Sequence, residues 1–141
     1  MRLLLFISNL LILALIGCDT QHKNVGRTNI FFEAPSTYTV SPEVAFKSDS
    51  CILRFRNKFT NDSIWISSGK LKNLIIANTR ESLAFACSYT VKKLKENELH
   101  IQINETDFLV PFKKEYYFID IYKYTRDTIN IYYSNNIAVL Y

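Results

Sequence analysis

The sequence predicts an all-β fold, an antiparallel β-sandwich of about seven or eight short strands, on three observations. Aromatic residues make up 14% of the chain, chiefly nine Tyr and ten Phe, and these side chains suit strands better than helices. Apolar and polar residues alternate with a period of two in run after run, as in strands with one buried face. Short clusters of Asn, Asp and Lys punctuate those runs, where turns belong. The 141 residues, 48% hydrophobic and 21% charged, allow one globular domain with a proper core.

Each element has its own pattern. Ser41-Pro42-Glu43 can open one helical turn, since Ser caps and Pro suits the first position. Cys51, Leu53 and Phe55 alternate with Ile52, Arg54 and Arg56. Residues 63–67 place Trp65 between Ile64 and Ile66, after an Asn61-Asp62 turn. In 70–86, Leu71, Leu74, Ile75 and Asn78 fit a helical period as well as a strand, so an α+β variant with a short helix near 70–80 is the alternative. Phe85, Cys87, Tyr89 and Val91 share one face of the next run, and Leu99, Ile101 and Ile103 one face of the run after it. Asn104-Glu105-Thr106 turns the chain into 107–112 as a hairpin. Strands over 116–122, 128–133 and 137–141 complete the series.

The N-terminus carries a different signal. After Met1-Arg2, Leu3 to Ile16 is apolar except at Ser8-Asn9. A run of about 14 residues is short of the ~20 that cross a membrane and suits the apolar part of an export signal. It ends Leu15-Ile16-Gly17-Cys18, which resembles the lipobox of bacterial lipoproteins. The resemblance implies cleavage before Cys18, a diacylglyceryl thioether on its sulfur and usually an acylated amine. Two or three acyl chains then hold a protein on a membrane almost permanently. The organisation expected is a signal peptide at 1–17, a lipidated cysteine and flexible tether at 18–29, and a β-sandwich at 30–141. The alternating, Asn- and Lys-rich style is also similar to small lipid-anchored β-domains of Gram-negative envelopes. That places the chain in the bacterial envelope, the outer membrane ahead of the inner, although Asp19 is the residue that retains lipoproteins in the inner membrane of enteric bacteria.

Cys51, Trp65 and Cys87 loosely resemble the immunoglobulin arrangement, although the cysteines are closely spaced and Phe85 stands at the corner-tyrosine position. Both cysteines fall on inward faces, and oxidising conditions favour pairing of such thiols. A Cys51–Cys87 disulfide would stabilise the fold by roughly 4 kcal/mol; the alternative is two separate buried thiols.

The net charge of +4 lacks the concentrated basic stripe of a nucleic-acid binder; Lys92, Lys93 and Lys95 are followed at once by Glu96 and Glu98. His22 falls in the tether and His100 on a polar strand face, and no nucleophile, phosphate-loop or metal motif occurs. No cofactor and no metal are expected. Glu98 and Glu105 lie at opposite ends of one strand, too far apart for a shared cation or an acid–base pair. Asp62-Ser63-Ile64 and Asp127-Thr128-Ile129 match a short O-glycosylation pattern that also describes ordinary turns. Tyr116, Phe118 and Tyr122 share a face with Asp120, as a sugar-stacking platform would. The expected function is a lipid-anchored, non-enzymatic binding or structural accessory domain, engaging the membrane through its anchor and an envelope protein or glycan through that face. A glycan-binding module is its sharper form, and a small envelope hydrolase is the competing one.

Overall fold

The alternation in the sequence folds into two five-stranded sheets that close on a shared core. The structure is a computed structural model and describes residues 23–68, 71–80, 84–93 and 98–137. The expected signal peptide at 1–17, Cys18 and residues 138–141 of the last expected strand lie outside the described residues.

The first sheet contains β1 (Asn24–Val25), β8 (Thr106–Pro111), β7 (Glu98–Ile103), β4 (Asp62–Ser68) and β5 (Leu71–Ala77), in that order. The second contains β2 (Arg27–Phe32), β10 (Thr128–Ser134), β9 (Phe118–Thr125), β3 (Ser50–Arg56) and β6 (Phe85–Lys92). Leu53, Phe55, Ile119, Ile121, Ile129 and Ile131 from the second sheet meet Ile64, Ile66, Ile101, Ile103, Phe108 and Val110 from the first. Burying such side chains supplies most of the folding drive, roughly 1.5–3 kcal/mol each. In β3 and β7 the side chains that alternation puts on the inward face do face the core, as do Cys87, Tyr89 and Val91 of β6. Phe85 instead turns outward, because a register shift between Phe55 and Arg56 sets it opposite Arg56.

The sheets are mixed rather than purely antiparallel. β1 runs parallel to β8, β2 to β10 and β3 to β9, while β4–β5, β7–β8 and β9–β10 are hairpins. Alternation assigns faces but not directions. Between β3 and β9 the chain crosses to the other sheet and back twice, so strands distant in sequence become parallel neighbours.

Segment 71–77 forms a strand, which overturns the α+β alternative. β5 pairs with β4 over its whole length, burying Ala77 and half-burying Ile75 while Leu74 and Ile76 face outward. Among the described residues, the single short helix lies elsewhere. In α1 (Pro42–Lys47), Val44 N–H donates to the Ser41 hydroxyl at 3.3 Å, and Lys47 pairs with Glu43 one turn back.

β1 and β2 begin at Asn24 and Arg27, inside the segment 18–29 expected from the sequence to be a flexible tether. Gly26 carries the chain from one sheet to the other. Its N–H donates to the Asp107 carbonyl at 2.8 Å, and any Cβ there would overlap the buried Phe108 ring.

The cysteines do not pair. Both lie on the core side of one sheet, Cys51 opposite Val91 and Cys87 opposite Phe55, and both thiols are free. Four residues of offset is about 13 Å along a strand, well beyond the ~7 Å that a disulfide spans. Burial pushes the Cys51 thiol up to about 12 and raises that of Cys87. Trp65 points outward, with the Lys72 ammonium 4.7 Å from its ring centre. The immunoglobulin comparison therefore fails: its cysteines would bridge two sheets and its tryptophan would fill the core.

Candidate binding face on the second sheet

Register alone arranges the outward side chains of the second sheet into a grid. Across β2, β10, β9 and β3, one row reads Phe31, Tyr132, Asp120, Arg54. The adjacent row reads Asn29, Asn130, Tyr122, Arg56. Aromatic rings occupy one half of the grid and guanidinium groups the other.

Asp120 is the hub of the charged half, and it is only 2% exposed. Arg54 donates to its Oδ2 through Nη2, and Arg56 Nε lies 2.6 Å from its Oδ1. Arg54 Nη2 also donates to the Ser134 hydroxyl at 3.3 Å, and Nη1 to the Asn136 carbonyl at 3.2 Å. The same guanidinium sits 4.0 Å from the centre of the Phe118 ring. The Nε atoms of both arginines lack an aligned acceptor. Two permanent cations thus share one buried carboxylate, and the surplus positive charge faces a shallow groove. That groove, about 220 Å³, is lined by Ile52, Arg54, Arg56, Phe85, Phe118 and Ile137, with Ser88 at its margin. Guanidinium charge beside apolar walls suits a carboxylate on an otherwise apolar or sugar-like group.

In the aromatic half, Phe31 stacks on Tyr132 at 4.7 Å with the rings 16° apart, and Tyr122 meets Tyr132 edge-on at 5.2 Å. Phe31 is exposed and the two tyrosines are half-buried. Burial raises the Tyr122 phenol, an effect that Arg56 opposes and that Asp120 and Glu33 reinforce; the hydroxyl stays protonated and available as a donor at neutral pH.

The face anticipated from the sequence is present with altered membership. Tyr122 is on it beside Asp120. Phe118 is on it too, but only 8% exposed beneath Arg54. Tyr116 precedes β9 and turns to the rings of Phe32 and Tyr133, each 5.7 Å away. Phe31 and Tyr132 take its place. Alternation across 128–133 does put Tyr132 outward, yet only the parallel β2–β10 pairing brings Phe31 beside it.

The outer face of the first sheet brings together a second set of polar groups. His100 Nε2 lies 3.1 Å from Asp107 Oδ1, Lys23 approaches the same carboxylate at 3.7 Å, and Ser67 stands opposite His100 in register. Asp107 Oδ1 receives no aligned hydrogen bond. Glu98 and Glu105 are at opposite ends of β7, as expected, and Glu105 pairs with Arg126 at 2.8 Å. Among the described residues, no three Cys, His, Asp or Glu side chains are grouped to hold a metal ion, and no helix is long and apolar enough to cross a membrane. The chain matches no protein-family model, no curated protein and no solved structure.

Proposed function

We propose that this chain is a lipid-anchored protein of the bacterial cell envelope whose β-sandwich is a non-enzymatic binding domain for acidic glycans or glycopeptides. One observation carries the ligand class: the Phe31–Tyr132 stack, with Tyr122 edge-on to it, lies beside Arg54 and Arg56, two cations that share one carboxylate. Aromatic faces hold the apolar faces of sugar rings, and a guanidinium holds a carboxylate in a bidentate fork. The anchor rests on the lipobox-like Leu15-Ile16-Gly17-Cys18. Metabolic labelling with palmitate tests it, since Cys18→Ser must abolish both the label and membrane retention. Titrating the chain with carboxylated envelope glycan fragments, followed by tyrosine fluorescence, tests the site. Saturable binding lost in both Tyr132→Ala and Arg56→Gln is the expected result; binding unchanged by either substitution overturns it.

A hydrolytic reading has one observation in its favour, the Ser67, His100 and Asp107 set. Nucleophilic catalysis by such a set needs a serine–histidine hydrogen bond and donors for the developing oxyanion. The described contacts of Ser67 include neither. A fluorophosphonate probe is expected to leave Ser67 unmodified, and labelling that disappears in His100→Ala would restore the enzyme reading.

A further inference from the structure

The two ends of the sandwich differ in charge, and the chain enters at the more positive one. The parallel β1–β8 pairing sets Asn24 beside Thr106, at the end that also holds the 57–61 connection, the 104–105 turn and the 126–127 turn. Exposed Lys23, Arg27, Lys58, Arg80 and Arg126 gather there. Among the described residues, the exposed carboxylates at that end are Glu105 and Asp127. At the opposite end, Glu33, Glu43, Asp49, Glu98 and Glu115 balance the lysines. Asp62 and Lys123 neutralise each other internally at 2.7 Å and do not alter this contrast. Tyr124 is exposed at the positive end, with the Lys58 ammonium 5.5 Å from its ring centre.

We infer that this end docks on anionic lipid headgroups, so that the sandwich stands upright on the bilayer with β1 and the 57–61, 104–105 and 126–127 connections against it. The inference rests on the proposed anchor at Cys18. From Cys18 to Asn24 the chain spans at most about 20 Å when fully extended, so the positive end cannot move far from a membrane that holds the lipid. Clustered Lys and Arg attract an anionic surface within a Debye length, and an amphipathic tyrosine suits the headgroup layer. The opposite end and the outer face of the second sheet are then left open to the periplasmic or external solution.

Lysine footprinting of the full lipidated chain on vesicles tests the orientation. Vesicles containing phosphatidylglycerol are compared with vesicles of phosphatidylcholine alone, and flotation is measured on the same samples. On anionic vesicles Lys58 should be acylated about fivefold more slowly than in detergent, with Lys47 and Lys114 unchanged, and high salt should relieve the protection. Equal rates for Lys58 and Lys114 in a floating sample overturn the orientation while leaving the anchor intact. A chain that does not float overturns the anchor and the orientation together. A flexible Gly/Ser insertion between Thr20 and Gln21 separates docking from confinement: protection that survives it supports docking, and protection that vanishes overturns it. Arg80→Glu with Arg126→Glu should remove the protection of Lys58 without affecting flotation.

Discussion

The outer faces of the two sheets follow the same alternation and reach opposite outcomes. On the first sheet, outward Ile76 and Leu109 stay more than half exposed, at 54% and 51%. On the second, outward Arg54, Asp120 and Phe118 are buried. The difference comes from what lies over them. After β10 the chain bends back across the start of β9: Tyr117 N–H donates to Asn135 Oδ1 at 2.7 Å, Arg54 donates to the Asn136 carbonyl, and Ile137 N–H donates to the Tyr38 carbonyl at 2.8 Å. This strap seals part of a nominally exposed face. A charged residue on a strand's polar side therefore becomes a buried one only where a distant segment covers it, and buried charge must then be paired.

Substitutions can break that contrast or sharpen it. Asp120→Ala should have the largest effect, destabilising the domain by about 3–5 kcal/mol in urea titration, because it leaves two covered guanidiniums unpaired. An effect below about 1 kcal/mol would mean that solvent reaches this face as freely as the other.

Asp62 comes next. Burial by itself would raise its carboxyl, but hydrogen bonds from Lys123, Asn104 and the Thr60 N–H, with the Lys123 charge, outweigh burial and hold it below the usual range. A depressed folded-state value means the contribution is complete above the unfolded carboxyl value near ~3.9 and disappears as pH falls through the folded one. Asp62→Asn should cost about 2 kcal/mol at neutral pH, and the gap from wild type should narrow in acid.

Gly26→Ala should cost about 1–2 kcal/mol, since the Phe108 ring must move to admit a methyl group. The smallest change is expected on the open face, where Ile76→Ser should shift stability by no more than about 0.5 kcal/mol. A large loss there would mean that something covers the first sheet as well.

Much of the fold is written locally. The period-two runs name the core of β3, β7 and most of β6, and the two-residue Asn104-Glu105 loop closes its hairpin with Asn104 at φ 53°. The Ser41 cap and Pro42 start the helix that they announce. Where local signals compete, packing decides: 71–77 is readable as helix or strand, and a partner strand along β4 settles it. The candidate face was half legible, because parity places Tyr122 and Asp120 together but is silent on which strand lies next to β10. Phe31 reaches Tyr132 across a parallel pairing of residues about a hundred positions apart, a relation with no local trace.

By itself, then, the sequence determined which side chains turn inward along β3, β7 and most of β6, and where the hairpin and the helix begin. Only the tertiary structure decided strand direction, the separation of Cys51 from Cys87, the burial of Arg54 and Asp120 and the membership of the aromatic row. The physical reason is range. Alternation, caps and turns act over a few residues, whereas neighbour identity and covering depend on contacts that form after the whole chain has closed around its core.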